Sequence, residues 1–160
     1  MEESKTSVQG RVIRDLIARF ASDNLIGRKL KTGELRKKMV EPAWKCPDCF
    51  LMQKIKMPQF EMELLTSMQN PREDKVVLQL HGGGYIGGST LVLQNQCRFL
   101  AEQSGATVIS IDYRLAPEAP FPAAFDDCKD VVKWLVHHAD YWNIDPNNLS
   151  IAGESAGGAL

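Results

Sequence analysis

Three short apolar runs, at residues 76–80, 107–111 and 149–152, limit what this chain can fold into more than any other feature. Each is rich in Val, Ile or Leu and too short for an ordinary helix, as expected of strands buried on both faces. Between them lie segments with apolar residues at helical spacing. One covers residues 91–104 and is closed by Gly105; the other covers 123–139, with Cys128, Val131, Val132, Leu135 and Val136 as its buried stripe. Strands separated by helices of ten or more residues pair in parallel, because a tight turn can only return the chain antiparallel. Right-handed crossovers then bring the loops after all three strands to one edge of the sheet, where such folds build their sites. Upstream, residues 50–57 and 59–68 read as two strands joined by a turn at Pro58, with Phe60, Met62 and Leu64 alternating with polar residues. The expected fold class is α/β, a mostly parallel sheet with an antiparallel start.

The first part of the chain has a different period. Val8, Val12, Ile13, Leu16, Ile17 and Phe20 line one face of a helix over residues 6–20, which Thr6 and Gln9 cap; a second helix over 34–40 stops before Pro42. Residues 1–48 therefore read as a helical cap segment and 49–160 as the α/β part. Arg28, Lys29, Lys31, Arg36, Lys37 and Lys38 form a basic cluster without interleaved aromatic residues, which reads as a solvated helix face. Lys and Arg number 19 against 20 Asp and Glu, so no bulk attraction to nucleic acid is expected. The polar start, Met1-Glu2-Glu3-Ser4-Lys5, lacks the apolar core of a signal peptide, and no run reaches membrane-span length. A cytoplasmic protein without stable membrane insertion is expected. Cys46-Pro47-Asp48-Cys49 has C-x-x-C spacing, but no second ligand pair accompanies it, so it reads as reduced thiols and not as a metal site.

The loops after the three runs carry the chemistry. Gly153-Glu154-Ser155-Ala156-Gly157 is a G-x-S-x-G sequence directly after a strand, the context of a nucleophile elbow. A serine in such a sharp turn leaves no room for Cβ atoms two residues to either side. His81-Gly82-Gly83-Gly84 follows the first run, and consecutive glycines let the backbone present N–H groups closely to a developing oxyanion. The same loop, Gly82 to Gly87, also matches the G-x-G-x-x-G of dinucleotide sites. Against that alternative, a histidine precedes the glycines, and the acidic residue that follows, Asp112, lies inside Asp112-Tyr113-Arg114-Leu115-Ala116-Pro117-Glu118.

That heptapeptide, together with His81-Gly82-Gly83-Gly84-Tyr85, Phe121-Pro122-Ala123-Ala124 with Asp126-Asp127, and Gly153-Glu154-Ser155-Ala156-Gly157-Gly158, resembles the hormone-sensitive-lipase-type esterases of the α/β-hydrolase fold. The resemblance runs from Cys49 to Leu160. It implies that Ser155 is the nucleophile and that Gly83, Gly84 and Ala156 donate oxyanion-hole N–H groups. His81, with Gly82, would support the oxyanion loop, and Tyr85 would line the acyl side of the pocket. Glu154 would be a buried hydrogen-bonding brace beside the nucleophile, and Asp112, Arg114 and Glu118 would hold the proline-rich loop. No cofactor is implied, and the partner would be a small-molecule ester. The family supplies its catalytic acid and histidine after the serine, whereas five residues follow Ser155 here. The other histidines, His137 and His138, are expected at the opposite edge of the sheet. The chain thus reads as the N-terminal half of a carboxylic ester hydrolase for small or short-chain esters, inactive alone. The alternative is a non-catalytic small-molecule binding protein on the same fold.

Overall fold

In the computed structural model, the described residues are Arg36, 45–72 and 74–160. The helices expected over 6–20 and 34–40 lie outside them, apart from Arg36. Five strands form one sheet: β1 (Phe50–Lys56), β2 (Glu61–Ser67), β3 (Val76–Leu80), β4 (Thr107–Asp112) and β5 (Leu149–Gly153), in the order β1-β2-β4-β3-β5. β1 and β2 form the antiparallel start, turned at Pro58 by a bond from the Met57 N–H to the Phe60 carbonyl. β2 is antiparallel to β4, while β4, β3 and β5 run parallel.

Alternation along these strands divides the core between two faces. Met62, Leu64, Val76, Leu78, Leu80, Ile109 and Ile111 face helix α2 (Ala123–His137), which contributes Ala124, Cys128, Val131 and Leu135. Phe50, Leu65 and Val108 face helix α1 (Thr90–Ser104), which contributes Leu93, Cys97 and Ala101. Each helix is thus a crossover covering one side of the sheet. Gly105 ends α1 in the left-handed region at φ 71, its N–H closing on the Ala101 carbonyl at 2.9 Å.

Two details depart from the sequence pattern. Val136 is 53% exposed, because Ala124, Asp127, Cys128, Val131 and Leu135 already fill the sheet-facing stripe and the next residue points away. Glu63, expected on a polar face, is buried. Its strand is interior and covered by α1, and its charge is met by Lys54, directly opposite on β1, at 2.6 Å. No helix among the described residues is long and apolar enough to cross a membrane.

Candidate active site

The loops after β3, β4 and β5 leave the same edge of the sheet, since all three strands run parallel. Ser155 sits immediately beyond β5 with φ 50, a left-handed conformation uncommon for a residue with a Cβ. Close backbone approach holds it there. The Glu154 N–H donates to the Leu80 carbonyl at 3.3 Å, and the Gly157 N–H returns to the Glu154 carbonyl at 2.8 Å. Gly157 lies so close to the end of β3 that a Cβ would come within 2.6 Å of the His81 carbonyl and nearer still to that of Leu80. The chain after Ser155 forms a tight 3-10 turn over Ser155–Ala159.

The glycine loop lies against this elbow: a Cβ on Gly82 would stand 3.2 Å from that of Ser155. Gly83 has φ 129, and its carbonyl accepts the N–H groups of Ile86 and Gly87 at 3.2 and 3.1 Å, which folds the loop back on itself. Among the described residues, the N–H groups of Gly83 and Gly84 have no acceptor. His81 is buried beneath them, stacked on Tyr113 with ring centroids 4.0 Å apart. Its Nδ1 lies 2.7 Å from the Gly82 carbonyl, which can only accept, so Nδ1 carries the proton. The Tyr113 hydroxyl donates to the His81 carbonyl at 2.5 Å. Burial pushes the His81 imidazole below its usual range, against the opposing pulls of the Gly82 bond, Asp112 and Glu154, so the ring is neutral at neutral pH. Nε2 is buried without a partner among the described residues.

The remaining expected site residues are distributed differently from the sequence reading. Asp112 closes β4, and its carboxylate accepts the Thr90 N–H at 2.6 Å at the start of α1. Burial raises its pKa, and the Thr90 bonds oppose this. Arg114 grips the fully buried Asp127 of α2 with its guanidinium at 2.7–3.0 Å and its own N–H at 2.8 Å. Glu118, within the proline-rich loop, pairs with Arg36 at 2.7 Å. Glu154 is exposed, not buried, and its carboxylate accepts a bond from the Gln96 amide at 3.4 Å. Tyr85 lines a cavity of about 430 Å³ together with Gly84, Ile86, Phe121, Phe125 and Leu160. Asp127, Tyr113 and Arg36 were not singled out by the sequence as site residues; an acidic residue on the apolar stripe of α2 was the available signal for the first.

His137 and His138 close α2 at the far edge, where the chain runs on to pass the Asp145 N–H to the Asp74 carbonyl just before β3. His138 is stacked on Trp134. Cys46 and Cys49 are free thiols ahead of β1, and burial raises the Cys46 pKa.

A family model for the α/β hydrolase fold matches residues 77–160. The ethyl acetate hydrolase of Pseudomonas putida is 45% identical over 84 residues, 52% of this chain and 26% of that protein. The hormone-sensitive lipase of Bos taurus is 38% identical over 96 residues, 60% of this chain and 13% of that protein. The crystal structure of EstE5 soaked with p-nitrophenyl butyrate superposes with a TM-score of 0.74 at 30% identity, covering 90% of this chain and 48% of that one. The chain thus spans about half the length of that solved structure, and the matched segments are about a quarter or less of these two relatives.

Proposed function

The chain belongs to the α/β-hydrolase-fold family, and we propose that it carries the nucleophile and oxyanion half of a carboxylic ester hydrolase. The observation that carries this reading is Ser155 at φ 50, pressed against a glycine loop whose Gly83 and Gly84 N–H groups have no acceptor among the described residues. Ser155 Oγ attacks the ester carbonyl carbon while its proton passes to a base. The carbonyl oxygen becomes an oxyanion held by the N–H groups of Gly83, Gly84 and Ala156. Collapse expels the alcohol, which takes a proton, and leaves an acyl-serine that water hydrolyses by the same steps in reverse order. His81 supports the loop and is not the base: the ring is buried and stacked on Tyr113, and its remaining nitrogen, Nε2, has no hydrogen bond to Ser155. Tyr85 and the apolar cavity beside it receive the acyl or alkoxy group. A cavity of about 430 Å³ and the name of the Pseudomonas putida relative both favour small or short-chain esters.

The base and its carboxylate come, in this reading, from parts of the whole protein other than residues 1–160. Without them the oxyanion donors and binding leave about 10³–10⁴-fold over water, so residues 1–160 alone are expected to be a poor esterase. The test is Ser155→Ala in the whole protein, assayed on p-nitrophenyl acetate, with organophosphate labelling of the parent. Turnover is expected to fall to background, and the label to map to Ser155. Turnover within a few-fold of the parent would remove Ser155 from the reaction. A parent that binds esters but neither turns them over nor takes the label would be a binding protein on this fold.

A further inference from the structure

Two different loops contribute walls to the cavity that Gly84 and Tyr85 line. Tyr85 and Ile86 belong to the glycine loop, and Ala116 to Phe121 belong to the loop after β4. One backbone bond joins the walls directly, from the Ala116 N–H to the Tyr85 carbonyl at 2.8 Å. The other tie is a guanidinium from far upstream. Arg36 Nε donates to the Ile86 carbonyl at 2.7 Å, and Nη2 donates to the Ala116 carbonyl at 2.8 Å. Nη1 and Nη2 also donate to the two carboxylate oxygens of Glu118, at 2.9 and 2.7 Å. A single planar group therefore holds a carbonyl from each wall while Glu118 orients it.

We propose that Arg36 is a positioning residue that latches these two walls together and so fixes the size of the group admitted to the cavity between them. The specificity half of this proposal rests on the esterase reading above. Charge attraction is not the source of the effect: the Glu118 side chain is 65% exposed, and such pairs are screened and weak. The geometry is. Only a guanidinium offers several N–H donors in one rigid plane, enough to serve two carbonyls and a carboxylate together; an ammonium on a flexible stem cannot span them. At the far end of the second wall Phe121 is 89% exposed. Without the latch, the Ala116–Tyr85 bond is left as the direct tie, and the carbonyls of Ile86 and Ala116 turn to water.

The test uses the whole protein with Arg36→Ala, Arg36→Lys and Glu118→Ala. Hydrogen exchange at residues 84–88 and 115–119 is expected to quicken about tenfold or more in both Arg36 variants, and less in Glu118→Ala. Against p-nitrophenyl acetate, butyrate and octanoate, the octanoate-to-acetate ratio of kcat/KM is expected to rise about tenfold in Arg36→Ala, mostly through KM. A general structural lesion would lower kcat for all three esters alike. Unchanged exchange, or an equal loss across the series, would overturn the latch. If Arg36→Ala does not fold, the exposed Glu118→Ala carries the same comparison. If the parent hydrolyses none of the three esters, the esterase reading fails and takes the specificity claim with it, while the exchange rates still decide whether Arg36 joins the loops.

Discussion

Replacing Gly157 by alanine tests whether the elbow is seated on β3 as the structure describes. The new Cβ would lie 2.6 Å from the His81 carbonyl oxygen and 2.7 Å from the Leu80 carbonyl carbon. Ordinary contacts begin near 3.5 Å, so one backbone must retreat by roughly 1 Å. Neither can do so freely. Leu80 ends a strand paired on both sides, and the His81 carbonyl also accepts the Tyr113 hydroxyl. Overpacking of this kind costs about 1–3 kcal/mol, and two unyielding backbones place it in the upper half of that range. With a urea m-value of about 1–3 kcal/mol per molar, the unfolding midpoint of the whole protein should fall by about 1 M. The retreat also carries Ser155 away from the glycine loop, and a displacement near 1 Å is worth about a hundredfold in ester turnover. Gly158→Ala supplies the control. That position is exposed, and its Cβ would meet only the Gly153 carbonyl, at 3.2 Å. Its effect should stay within about 0.5 kcal/mol. Equal urea midpoints and equal turnover in the two variants would refute the seating of the elbow on β3.

Gly83→Val should lower ester turnover by about two to three orders of magnitude, the effect of one lost oxyanion donor. Its Cβ would stand 2.5 Å from the Gly87 carbonyl carbon at a φ of 129 that valine avoids; less than about a tenfold change would place the oxyanion elsewhere. Stability should also fall as pH drops below the His81 imidazole's ordinary value. Burial lowers the folded pKa, so the unfolded chain binds the proton first and is favoured from about pH 6.5 downward. His81→Gln should flatten that limb in urea titrations at pH 7, 6 and 5, and an unaltered slope would show that another group causes it.

Much of this arrangement was legible because it rests on local pattern. The runs at 76–80 and 107–111 became β3 and β4 since strands covered on both faces need continuous apolar residues, and Gly105 ended α1 since left-handed backbone favours glycine. What escaped depends on partners far away in sequence. Arg36 lay in a basic cluster that pattern alone reads as solvated, and its acceptors are 50 to 82 residues distant. Asp127 interrupts the apolar stripe of α2, and its meaning appears only when Arg114 is seen to reach it. Glu63 violates the alternation of β2 because Lys54 faces it across the strand pair, a fact of register and not of composition. Glu154 is the opposite case, a residue given a buried role by resemblance that stands exposed among the described residues.

The two halves of the candidate site are held by different contacts. The glycine loop grows from β3, which is paired with β4 on one side and β5 on the other, and its base is fixed by a buried histidine, a stacked tyrosine and a hydroxyl bond. Its donors are therefore preorganised, and an oxyanion stabilised there needs little rearrangement during reaction. Ser155 grows from β5, which pairs in parallel with β3 from Leu149 to Gly153. Its unfavourable φ is sustained by two hydrogen bonds and the approach of Gly157 to Leu80 and His81. The nucleophile is thus seated on the same strand end that carries the glycine loop, so a change at Leu80 or His81 reaches both halves of the site.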